Sequence, residues 1–259
     1  MPEGDTVYRT AQNLDRALHG ARLTRCDVRV PAFATVDLTG QTVHEVASRG
    51  KHLLMRVGEA SIHSHLKMEG SWHLYRHGSA WRRPAFQARI VLETADWVAV
   101  GFELGLLEVV PLTQETTLLD YLGPDLLGPD WDADEAVSRL ASRPDRPLAV
   151  ALADQGNLAG LGNEYVNELC FLRGVLPTRL VASVTDVPGL VALAHRLILA
   201  NRDRTERITT GNSRRGMQSW VFSRAGQACR RCGTPIERGS LGRTVLEERV
   251  TYWCPRCQT

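Results

Sequence analysis

The chain has 259 residues, 43% hydrophobic and 23% charged, a globular composition with enough length for two ordinary domains and no sign of intrinsic disorder. Met-Pro-Glu-Gly-Asp at the start is acidic and polar and leads into no apolar stretch, so no secretory signal is expected. No apolar run approaches the ~20 residues of a membrane span, so the expected location is the cytoplasm. Net charge is only +2, but residues 195–259 hold 13 Arg and no Lys against 5 Asp and Glu. That basic last quarter suggests a polyanion partner, with a solvated face as the alternative.

Residues 5–19 predict a helix. Val7, Ala11, Leu14 and Leu18 recur at helical spacing, Asp5 or Thr6 can cap it, and Gly20 can end it. The residues before it form a short arm at its N-terminus. Pro2 is small enough for Met1 to be removed, and the chain would then begin with a secondary amine. An α-amino group has a pKa near ~8, so roughly a tenth of it is neutral and nucleophilic at pH 7. Glu3 beside it can act as acid or base.

From about residue 21 to 111 the pattern is strand-like, with segments at 42–46, 51–57, 61–66 and 87–93 and a turn at 94–96 into 97–100. Short strands between turn residues predict a β-sandwich or barrel. Of 31 Lys and Arg, 29 are Arg; Lys51 and Lys67 are the only lysines. Such rarity flags both as candidates for amine chemistry, although biased base composition would also make lysine rare.

Gly123-Pro-Asp and Gly128-Pro-Asp read as a linker, and helices are predicted after it at about 132–142, 146–154, 163–173 and 188–201. Pro147 suits a first turn. Before the third of these helices come Gly156, Gly160 and Gly162. Glycines let a backbone approach a phosphate closely, and a helix start offers free N–H groups to an anion. Asn163 is expected to cap that helix and to donate to a phosphate oxygen.

The tail from residue 225 carries Cys229-Arg-Arg-Cys232 and Cys254-Pro-Arg-Cys257, two C-x2-C knuckles 21 residues apart. Four thiolates at this spacing predict one structural, tetrahedral Zn2+, with disulfides as the alternative in an oxidising compartment. Residues 236–240 and 249–253 are candidate finger strands. Cys26 and Cys170 stand alone and read as buried small hydrophobes.

Together these features resemble the Fpg/Nei family of DNA glycosylases, and over the whole chain the pattern is similar to actinobacterial endonuclease VIII-like members. The resemblance rests on Met1-Pro-Glu-Gly-Asp5, Gly50-Lys51 opening a strand, Gly160-Leu-Gly-Asn163, and the finger ending Tyr252-Trp-Cys254-Pro-Arg-Cys257-Gln258. It implies an α+β fold in three parts. These are an N-terminal catalytic β-sandwich with a leading helix (1–122), a helical DNA-binding domain with a helix–two-turns–helix motif (123–224) and a four-cysteine zinc finger (225–259).

The implied activity is that of a bifunctional DNA glycosylase and abasic-site lyase of base excision repair. Pro2 is the implied Schiff-base nucleophile and Glu3 the acid that helps open the sugar. Lys51 is implicated in phosphate contact and proton transfer, Asn163 in phosphate binding, and Arg249 in gripping phosphates around the flipped nucleotide. Lys67 and Met68 occupy the loop that reaches toward DNA, with Met68 matching the methionine that fills the gap left by an extruded base. His63 and His65 alternate on one strand and read as sheet-face packing or DNA-facing polar groups rather than a metal pair. The expected partner is damaged DNA, bound by a monomer.

Departures from the family pattern bear on the lesion. Where the purine-specific branch inserts Arg and Phe, this chain reads Phe102-Glu103-Leu104, which lacks the Arg. Where the pyrimidine branch has Gln-Leu-Tyr, it reads Lys67-Met68-Glu69, and Tyr121 stands where some members have a DNA-contacting arginine. Oxidised pyrimidines are the expected substrates. The alternatives are an Fpg-like enzyme for oxidised purines, or a zinc-ribbon DNA-binding protein without activity, which the intact Pro2, Glu3 and Lys51 set disfavours.

Overall fold

The structure, a computed structural model, describes residues 2–259. It divides into two units, one ending at Asp120 and one running from Tyr121 to Thr259.

The first unit opens with α1 (Gly4–Leu18) and continues through β1 (Arg25–Val28), β2 (Val43–Arg49), β3 (His52–Val57), β4 (Ala60–His65), β5 (Ser71–Tyr75), β6 (Ala88–Glu93), β7 (Val98–Phe102), β8 (Leu106–Pro111) and α2 (Leu112–Leu119). Two antiparallel four-stranded sheets, β1-β6-β7-β5 and β2-β3-β4-β8, form the sandwich. Period-2 alternation sends Val46, Leu53, Met55, Ile62 and Leu107 of one sheet into a shared core with Trp72, Ile90, Leu92 and Ala99 of the other. The helical stripe Val7, Ala11, Leu14 and Leu18 joins that core. Truncating a residue as buried as Met55 to Ala costs about 2–5 kcal/mol.

Helix α1 begins slightly earlier than its caps suggest. Glu3 is the N-cap residue, with an extended backbone and no side-chain cap bond, while Asp5 Oδ1 accepts the neighbouring Thr6 N–H at 2.7 Å. Asp15 Oδ1 accepts the Val46 N–H at 2.8 Å, which ties α1 to the edge strand β2 and satisfies a donor the sheet leaves open. The opposite face of the β2-β3-β4-β8 sheet is polar. Arg49, His52, Arg56, Ser61, His63, His65 and Glu108 share it by register, and Glu115 of α2 accepts from Arg56 Nε and Nη2 at 3.0 and 2.6 Å.

The second unit contains α3 (Ala133–Ala141), α4 (Leu148–Ala153), α5 (Asn163–Leu172), α6 (Val187–Asn201) and the hairpin β9 (Glu237–Leu241) and β10 (Arg249–Trp253). Asp132 and Asp186 cap α3 and α6 through their carboxylates. Helix α5 is buried on both sides. Tyr165, Val166 and Leu169 pack into the helical core, while Phe171 packs with Val221, Cys229, Ile236 and Cys254 beneath the hairpin. Its Glu168 is fully buried and accepts the backbone N–H groups of Trp220, Val221 and Phe222 at 2.7, 2.8 and 2.9 Å, as well as the Thr209 hydroxyl. One carboxylate thus anchors the irregular chain between α6 and β9.

The expected linker is structural. Residues 122–126 are buried, and Gly123 N, Ala159 N and Leu126 N bond to Gln155 O, Pro124 O and Ala159 O. A side chain at Gly123 would meet Gly156 O at 2.6 Å, so the glycine permits backbone-to-backbone packing and marks no flexible joint. No helix of the described residues is long and apolar enough to cross a membrane.

Candidate functional site

The first unit carries Pro2, Glu3, Lys51, Lys67 and Met68. Pro2 is half-buried at the start of the described chain, and Glu3 is completely buried where α1 begins. A carboxylate there sits at the positive end of the helix dipole. Lys51 belongs to the two-residue turn between β2 and β3, closed by Arg49 opposite His52, and Gly50 takes the left-handed φ of 57° that such a hairpin requires.

Lys67 follows β4 and also has a left-handed φ, 51°. Its backbone N–H donates to His65 Nδ1 at 2.9 Å, and its aliphatic stem packs over Gly105, where a Cβ would meet it at 2.3 Å. Met68 is 62% exposed at the tip of this loop. Arg83, which the sequence did not single out, braces the loop. Its guanidinium donates to Glu69 O at 2.9 Å and pairs with Glu103, in the stretch where the expected arginine is missing.

Two groups of the polar sheet face also escaped the sequence reading, His52 and Glu108. With His63 and His65 they form a cluster in which His52 is pushed down to about 3, first by burial and then by the charges of His65, His63, Lys67 and Lys51. His65 is pushed down to about 4 by burial and the two lysines. Both lysines therefore help to depress the same two imidazoles, His52 and His65. Only the alternation of His63 and His65 was visible beforehand.

The second unit carries Asn163, Arg249 and the cysteines. Asn163 and Arg249 line one cavity of about 530 Å³ with Tyr121, Asp154, Arg243 and Glu247. Asn163 is not the expected cap. Gly162 takes that place with an extended backbone, and Asn163 is the first helical residue. Its Nδ2 donates to Val250 O at 2.8 Å, while Asn167 Oδ1 accepts the Tyr252 N–H at 2.6 Å. These bonds dock β10 on α5 and set Arg249 beside the helix start. Arg243 forks onto Glu247 at 2.7 and 2.9 Å. Burial disfavours charge on Asp154, but bonds from Arg146 and the Gly156 N–H outweigh it and hold the carboxyl below its ordinary range.

The four cysteines converge without disulfides, their sulfurs all within 4.8 Å of one another. Cys229–Cys257 and Cys232–Cys254 sulfur separations are 3.9 and 3.4 Å. A tetrahedral ion with bonds of ~2.3 Å needs sulfur–sulfur edges near ~3.8 Å, so the set fits a metal ion.

Residues 1–103 match the family described as formamidopyrimidine-DNA glycosylase N-terminal domain. The chain is 56% identical over 259 residues to the DNA-(apurinic or apyrimidinic site) lyase Nei2 of Mycolicibacterium smegmatis, covering 100% of this chain and 99% of the relative. The chain belongs to the Fpg/Nei family of DNA glycosylases and abasic-site lyases. It is also 53% identical to Endonuclease 8 2 of Mycobacterium bovis over the full length of both, and 34% identical to Endonuclease 8 of Escherichia coli over the full length of both. The Fpg/Nei fold recurs in Lactococcus lactis Fpg in complex with abasic-site DNA, with a TM-score of 0.81, 21% identity and full coverage of both chains.

Proposed function

We propose that the protein is a bifunctional DNA glycosylase and abasic-site lyase of base excision repair that acts on oxidised bases, pyrimidines foremost. The observation that carries the reading is the N-terminal pair: Pro2, a secondary amine once Met1 is removed, directly before a wholly buried Glu3 at the start of α1. The damaged base is turned out of the stack. Pro2 attacks C1′ of its sugar, Glu3 supplies the proton that opens the ring, and the base leaves. The resulting iminium ion acidifies C2′, and β- then δ-elimination breaks the strand on both sides of the sugar. Lys51 contacts phosphate and moves a proton in the elimination. Met68, exposed on its braced loop, fills the stack beside Lys67. Asn163 and Arg249, lining one cavity, grip flanking phosphates.

Pyrimidine preference is supported by the relatives named endonuclease 8 and by the absence of arginine in Phe102-Glu103-Leu104. Cys229, Cys232, Cys254 and Cys257 hold one structural Zn2+, since two closed C-x2-C knuckles leave no open position. We assign the activity to a cytoplasmic monomer acting on damaged DNA, built as 1–122, 123–224 and 225–259.

Borohydride trapping tests the reading. A covalent adduct is expected with abasic-site DNA and with oxidised-pyrimidine oligonucleotides, and it should vanish when Met1 is retained or an uncleaved tag blocks Pro2. Undiminished trapping with a blocked terminus would move the nucleophile elsewhere, first to Lys51. Faster turnover on oxidised purines would transfer the enzyme to the Fpg-like reading.

A further inference from the structure

Among the described residues of the β unit, two large apolar side chains stand strongly exposed, Met68 at 62% and Phe86 at 80%. Met68 has a place in the proposed chemistry and Phe86 has none. Phe86 lies in a short 3-10 turn, Ala85–Gln87, directly before β6.

One guanidinium joins the two loops. On the Met68 side, Arg83 Nη1 donates to Glu69 O at 2.9 Å and to Ser71 Oγ at 3.1 Å. On the Phe86 side, Arg83 Nε donates to Gln87 Oε1 at 3.0 Å. Its Nη2 pairs with Glu103, whose own backbone N–H donates to Gln87 O at 2.9 Å. The turn is held from elsewhere too. Arg29 Nη1 donates to Ala85 O at 3.1 Å, and the Gln87 N–H closes on Pro84 O at 3.0 Å. Three non-glycine residues among those described take a left-handed φ, and two of them, Lys67 and Glu103, belong to the segments that Arg83 clips. Such a backbone persists only where its surroundings hold it.

Folding does not call for this arrangement. A single exposed apolar residue is ordinary, but here both of the unit's exposed apolar groups are carried on loops fixed to each other. Exposed Lys67 and Arg82 accompany them against one exposed carboxylate, Glu69, since Glu103 is taken up by Arg83. Apolar groups, one of them a flat ring, among cations suit a polyanion that offers flat apolar faces, which is the chemistry of a nucleic-acid base on its phosphate chain. Turning one base out of a duplex leaves one base inside it without a partner, the base opposite.

We propose that Phe86 stacks on that unpaired base, held in place by the Arg83 clip, while Met68 fills the vacated position beside it. This rests on the functional reading above, in which a base is extruded. Phe86 is then a contact to the undamaged strand, and Arg83 is a positioning residue for both loops.

The test uses the full-length protein and two duplexes that carry a tetrahydrofuran abasic analogue, which cannot form the Schiff base, so binding is read without cleavage. In one duplex a base stands opposite the analogue; in the other the opposite nucleotide is abasic as well. The wild type should bind the first duplex more tightly. Phe86→Ala should reduce that preference about tenfold, the worth of one stack of a base on a ring. Phe86→Tyr keeps the ring and should restore the preference. Arg83→Lys should lose it as Phe86→Ala does, because one ammonium cannot replace a fork that spans both loops. Equal weakening on both duplexes in Phe86→Ala would make Phe86 a general DNA contact and overturn the stack. An unchanged preference in Phe86→Ala would overturn it too, and full retention in Arg83→Lys would remove the clip. A wild type that binds both duplexes equally overturns the proposal whether or not the variants fold. A wild type that binds neither would instead bring down the functional reading.

Discussion

In the β unit two buried histidines and a half-buried carboxylate of the β2-β3-β4-β8 face are linked in a chain, His52 to His63 to Glu108. In the second unit the cationic groups around Asn163 stay wet: Arg249 is exposed, and the Arg243 side chain is 53% exposed on its ion pair with Glu247. The contrast suits the two proposed tasks. A reacting amine gains from a low-dielectric site whose dipoles are fixed in advance, since nothing must reorganise during reaction. A group that grips phosphate must exchange its own ion pair and water for the ligand, so it cannot be locked away.

The most forceful way to break this comparison is to unmake the finger. An intact lesion must be unstacked, which costs a few kcal/mol, whereas an abasic site has no base to extrude. Cys254→Ser with loss of metal, or Arg249→Ala, should slow base excision roughly a hundredfold more than cleavage at a preformed abasic site. Both rates are measured under single-turnover conditions on matched oligonucleotides, and an equal loss would place the finger in the chemical step.

Buried polar order is not confined to the β unit, and Glu168 sharpens that point. Glu168→Gln puts an amide among three backbone donors that needed a carboxylate, and about 1.5–3 kcal/mol of stability should be lost. Urea unfolding reads this directly, and an unchanged midpoint would show that the irregular segment is held by other contacts.

A smaller effect separates the units by pH. The unfolded chain protonates histidine near 6.5, but folded His52 and His65 resist charging until about 3 and 4. Below pH 6.5 the unfolded state binds more protons, so stability is fully present above that pH and falls as pH drops toward 4. Each of the two contributes up to about 1.4 kcal/mol per pH unit in that window. His52→Gln should flatten the slope of stability against pH between 6.5 and 4, and a slope equal to wild type would mean that His52 is already charged or solvated.

The smallest expected change is in salt dependence. Removing Lys51 or Arg249 should each flatten the log–log slope of DNA affinity against salt by up to ~0.9. Unchanged slopes in both variants would take both residues off the phosphates.

Local chemistry was legible in the chain. The α1 stripe, the strand alternation and the two cysteine knuckles depend on spacing over a few positions, because helical and strand periods are local properties of the backbone, while the candidate roles from Pro2 to Arg249 came from the resemblance to the Fpg/Nei family. Helix α2 was missed, since eight residues with mixed apolar spacing leave no clear period. Residues 122–126 were misread because Gly-Pro-Asp has the same composition in a flexible link as in a buried turn. Asn163 suited a cap by type, but the partner that claimed its amide, Val250, lies 87 positions away. Glu108 and His63 are 45 positions apart, and Glu168 and Trp220 are 52 apart. Such pairs are set by strand register and helix docking, where one step of slip turns a side chain to the other face. The sequence by itself therefore determined which candidate groups the protein offers for nucleophile, metal and phosphate. Only the tertiary structure decided which of them are dry and ordered and which stay open to solvent, because burial and pairing are properties of elements brought together from distant parts of the chain.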